Sequence, residues 1–60
     1  MFEQTRSAAV RAYDELRAQG HSDPRAFQTA LVIFNLHHPE VPADDAKFFV
    51  ADWISDTLAQ

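Results

Sequence analysis

The sequence predicts an all-α fold, a small three-helix bundle running up, down and up. Apolar residues recur at helical spacing, and no stretch alternates with the period of two that a half-buried strand requires. The only glycine, Gly20, and the three prolines fall at two places along the chain and cut it into three segments of helical length. With 60 residues, 47% of them apolar, the chain holds one folded domain and no more. That domain spans residues 1–60, with helices expected over about 2–19, 24–37 and 42–58.

Each segment carries its own boundary signals. In the first, Phe2, Thr5, Ala9, Ala12, Tyr13 and Leu16 share one arc at about 100° per residue, while Gln4, Ser7, Arg11, Asp14 and Glu15 share the opposite one. Gly20 follows as a C-terminal cap. The second opens at Ser22-Asp23-Pro24, where Asp23 is the expected N-cap and Pro24 occupies the first helical position, losing nothing by its missing N–H. Its arc of Ala26, Phe27, Ala30, Leu31, Ile33 and Phe34 is broad enough to touch two neighbours, as a middle helix must. Pro39 stops it, because the residue before a proline is pushed out of the helical region. After the short Pro39-Glu40-Val41-Pro42 connector, Asp44 and Asp45 lie in the first turn of the third helix, where the helix dipole favours negative charge. Its apolar arc is Ala46, Phe49, Val50, Trp53, Ile54 and Leu58.

Composition and charge narrow the functions. The net charge of −4 arises entirely after Pro39, where Glu40, Asp44, Asp45, Asp52 and Asp56 face Lys47 alone. Such a surface repels phosphate, from which nucleic-acid binding draws most of its affinity, so no nucleic-acid partner is expected and a basic protein surface is the better match. The chain has no cysteine, hence no disulfide, thiolate metal site or thiol nucleophile, which points to a reducing compartment. The longest apolar run, Ala30 to Phe34, is far too short to span a membrane. Met1-Phe2-Glu3 lacks the basic and then apolar pattern of an export signal. A cytoplasmic protein without a membrane partner is therefore expected. An alanine-rich chain with four arginines to one lysine hints at a bacterial, high-GC coding sequence.

Few residues suggest chemistry. Adjacent helical residues point about 100° apart, so His37 and His38 do not form the four-residue spacing of a helical metal site. His37 lies in the apolar arc and is expected to be a packed histidine near the helix C-terminus, and His21 a solvated one. The runner-up reading is a metal-dependent or hydrolytic corner built from His37, Glu40 and Asp44, which the short connector brings towards one another. Ser7 and Ser55 lie on polar helix faces with no histidine within a helical turn, Ser22 belongs to a capping turn, and a single glycine allows no phosphate-cradling loop, so neither an enzyme nor a cofactor is expected.

The informative residues are apolar ones on polar faces. Val32 and Leu36 project opposite Ala30, one turn apart, and Phe48 points about 160° from Val50 among Asp44, Asp45 and Asp52. With Val41 between them in the connector, these residues form an expected apolar patch with an acidic rim, the signature of a protein interface. A chain this short gains from association, and a homodimer is the commonest form. The expected function is a protein-protein interaction module, self-associating or docking on a larger protein as a regulator or accessory subunit.

Overall fold

A computed structural model describes residues 2–58. Three helices, α1 (Glu3–Ala18), α2 (Asp23–His37) and α3 (Ala43–Leu58), pack as a compact bundle in which every pair is in contact, α1 with α2 most extensively. The all-α three-helix fold expected from the periodicity is the fold observed.

Each boundary has an identifiable cause. Gly20 adopts φ 94°, a left-handed conformation that glycine reaches without a side-chain penalty. Its N–H donates to the Arg17 carbonyl at 3.0 Å and the His21 N–H to the Leu16 carbonyl at 3.0 Å, the paired bonds of a Schellman cap. At the start of α2 the N-cap is Ser22, whose extended backbone lets its hydroxyl accept from the Arg25 N–H at 3.4 Å. The capping role was expected of Asp23. Asp23 is instead the first helical residue, and its carboxylate accepts a hydrogen bond from the Tyr13 hydroxyl on α1. α2 ends at His37, and His38 leaves the helix at φ −136°, ψ 68°. The Pro42 carbonyl accepts the first helical bond of α3, from the Ala46 N–H at 2.9 Å.

The core is made of Ala9, Tyr13, Ala26, Ala30, Leu31, Phe34, Ala46, Val50, Trp53 and Ile54. Four of these ten are alanines, which bring the helix backbones close but remove little apolar surface from water. Phe34 and Trp53 join the partly buried Phe2 and Phe49 in one aromatic cluster, with ring centroids 5.2–6.2 Å apart. One member of the α3 arc departs from expectation: Leu58 is 68% exposed. It lies on the flank of that arc and lines the rim of an open groove of about 460 Å3 with Tyr13, Asp23, Phe27 and Ile54.

Candidate functional site

Two regions carry the residues singled out by the sequence. The first is the outward surface of α2 and α3. Val32 and Leu36, one turn apart on α2, are 45% and 74% exposed, and Phe48 on α3 is 70% exposed. Asp44, Asp45 and Asp52 are exposed on the same helix as Phe48. Each of these side chains projects away from the buried arc of its own helix: Ala26, Ala30, Leu31 and Phe34 on α2, and Ala46, Val50, Trp53 and Ile54 on α3. Val41 differs from them, since it is only half-exposed and packs against the core. Its N–H donates to the His38 carbonyl at 3.1 Å, a tight turn that folds the connector back on the bundle. Val41 therefore seals the core beneath the connector, where the sequence had placed it between Leu36 and Phe48.

The two outward faces differ in charge. On α2, Val32 and Leu36 lie among Arg25, Gln28, Thr29 and Asn35, with no carboxylate. On α3, Phe48 lies among the acids. One surface is nearly neutral and the other strongly negative.

The second region is the end of the bundle where the first turn of α1 meets the last turn of α2. Thr5, expected on the apolar arc of α1, is 3% exposed, and a buried hydroxyl needs a partner. It has two. Its Oγ1 lies 2.8 Å from His37 Nδ1 and 3.0 Å from His38 Nε2. The other nitrogen of His38, Nδ1, is 3.2 Å from Glu40 Oε2. The Glu40 carboxyl is held below its usual range, first by a hydrogen bond from its own backbone N–H and also by His38. Glu3, Gln4, Thr5, His37 and His38 line an open cleft of about 470 Å3.

This corner corrects the reading of the histidines. The packed ring is that of His38, edge-on to Phe2 at 4.6 Å and tilted against Phe34 at 5.6 Å, while His37 is exposed. Helical projection fails at His38 because its backbone has left the helix, which swings its ring back towards α1. The same departure lets two adjacent imidazoles reach one hydroxyl, an arrangement closed to neighbours within a regular helix. His21 is half-buried, and its carbonyl accepts from Arg17 Nη1 at 2.9 Å. Among the described residues, no group of three His, Cys, Asp or Glu side chains is placed to hold a metal ion, so His37, Glu40 and Asp44 are not gathered into one. The partner of the histidines is Thr5, which the metal-centred reading passed over. Its signal was a lone hydroxyl on an otherwise apolar arc.

No helix among the described residues is long and apolar enough to cross a membrane. Compared with known proteins, the chain matches no family model, no curated protein and no solved structure.

Proposed function

We propose that the protein is a self-associating interaction module. Two copies pair through the outer face of α2, and the acidic face of α3 around Phe48 takes a basic surface of a larger protein. The observation that carries this reading is the exposure of Leu36 and Phe48, 74% and 70%, on well-formed helices whose opposite faces are already filled. Large apolar side chains left in water on a rigid surface favour burial against another chain.

Charge assigns the occupants. A two-fold interface brings the same patch together on both copies, so a patch centred on Phe48 would oppose Asp44, Asp45 and Asp52 to their own equivalents. The α2 face holds no carboxylate and escapes that repulsion. The α3 face, with Phe48 as an aromatic anchor inside an acidic rim, complements lysines and arginines around an apolar pocket. A core that is four-tenths alanine supports the need for outside burial, which a second copy supplies. Such a module serves as a regulator or accessory subunit, and its cysteine-free composition suits a cytoplasmic setting.

The test is a pair of single substitutions read by sedimentation. Leu36→Glu places a carboxylate on the α2 face and should leave a folded monomer. Phe48→Ala should leave the dimer intact and weaken docking on a basic amphipathic peptide. A dimer that survives Leu36→Glu and dissociates with Phe48→Ala refutes the assignment of the two faces.

A further inference from the structure

The hydrogen bonds at the α1/α2 end have a direction that follows from their chemistry. The Glu40 carboxylate can only accept, so His38 Nδ1 carries the proton that meets Oε2 at 3.2 Å. In a neutral ring Nε2 is then a bare lone pair, so at 3.0 Å it accepts the single proton of the Thr5 hydroxyl. The Thr5 oxygen is left as an acceptor, and His37 Nδ1, 2.8 Å away, must donate to it. This fixes the tautomer of His37. Its Nδ1 holds the proton, and Nε2, which has no hydrogen-bond partner among the described residues, presents a lone pair on an exposed side chain lining the cleft.

A proton taken up at His37 Nε2 need not stay there. His37 Nδ1–H passes its proton to Thr5 Oγ1 as Thr5 passes its own to His38 Nε2, and the positive charge arrives on the ring that already faces Glu40. All three hydrogen bonds survive, two of them reversed in direction. The four groups thus form a relay from an exposed nitrogen to an ion pair, the logic of an oriented imidazole backed by a carboxylate, lengthened by one hydroxyl and one ring.

We infer that this corner is a general-base site, with His37 as the catalytic residue, Thr5, His38 and Glu40 as positioning residues, and a small ester as the class of substrate. His37 Nε2 removes a proton from a water molecule as the water oxygen bonds to the acyl carbon. The bond from that carbon to the leaving oxygen then breaks, and the proton held by the relay returns to the leaving group, giving acid and alcohol from ester and water. Phe2 gives α1 no side-chain cap, so the first-turn N–H groups remain without one, and they belong to Glu3, Gln4 and Thr5, which line the same cleft. Glu3, on that same wall, disfavours a negatively charged ester. The inference goes beyond the interaction reading and does not depend on it.

The experiment uses the full chain and p-nitrophenyl acetate, with free histidine at equal concentration as the reference, and nitrogen-resolved NMR of the histidine rings. The protein should exceed the reference, and with both rings neutral His37 should be the Nδ1–H tautomer. His37→Gln should remove the excess. Thr5→Val, which breaks the relay but keeps the shape, should lower the rate about 100-fold and release the His37 tautomer. Thr5→Ser should restore both. If Thr5→Val does not fold, Glu40→Gln at the exposed end replaces it: its amide can donate as well as accept, so the rate should fall and His37 should lose its single tautomer. A rate no higher than free histidine, an Nε2–H tautomer at His37, or relay variants that fold and hydrolyse as fast as wild type would overturn the assignment.

Discussion

Phe48 and Tyr13 are both large aromatic residues on helices, yet one stands 70% exposed and the other is 4% exposed. The difference predicts opposite outcomes for conservative truncation. Phe48→Ala should change folding stability by no more than about 0.5 kcal/mol, as at ordinary surface sites, measured by chemical denaturation. Its binding to a basic partner should weaken by about 2 kcal/mol or more, and the wild-type affinity should fall as salt rises. Tyr13→Phe removes only the hydroxyl that donates to Asp23 and should cost about 1 kcal/mol of stability. That hydrogen bond, followed by burial, raises the Tyr13 pKa above 10.0. The unfolded chain therefore ionises first, and this contribution is complete below pH 10.0 and is lost as pH climbs from there through the folded value. Denaturation at pH 8 and pH 11 should show wild type losing stability that Tyr13→Phe does not lose.

At the scale of elements, what was legible depended on whether a signal was local. Gly20, Pro24 and Pro39 act through their own backbone, so the helix boundaries they set could be read from the chain. The N-cap was harder. Ser22 and Asp23 both have capping side chains, and the choice fell to Ser22 because Tyr13, ten residues earlier, engages the carboxylate of Asp23. His37 was misassigned for a related reason: the ring that packs is that of His38, which lies just past the helix end, where a helical wheel does not give its direction. Thr5 was visible only as an oddity until α1 and α2 were placed side by side. Gly20→Ala offers a test of the local kind. A Cβ at that position would meet nothing within 4 Å, so its cost is purely conformational. The substitution should lower stability by about 1 kcal/mol, seen as a lower melting temperature with no change in helix content.

For the whole molecule, the question is how a 60-residue chain, with four alanines among the ten buried apolar residues of its described part, sustains a fold while leaving Leu36 and Phe48 in water. Exposed ion pairs do not answer it. Arg6 and Asp56, 3.0 Å apart, tie α1 to α3, but both are half or more exposed and such a pair contributes little. The aromatic cluster of Phe2, Phe34, Phe49 and Trp53 packs beside the histidine corner, where Phe2 and Phe34 also meet the His38 ring. Burial of Val32 and Leu36 against a second copy would add apolar contact along the middle helix, which touches both others. Stability and assembly are then linked, so the melting temperature must rise with protein concentration. Sedimentation equilibrium at micromolar concentrations tests this account most directly. It predicts a dimer for wild type and for Phe48→Ala, and a folded monomer for Leu36→Glu; a wild-type monomer at high concentration, with a melting temperature independent of concentration, would contradict it.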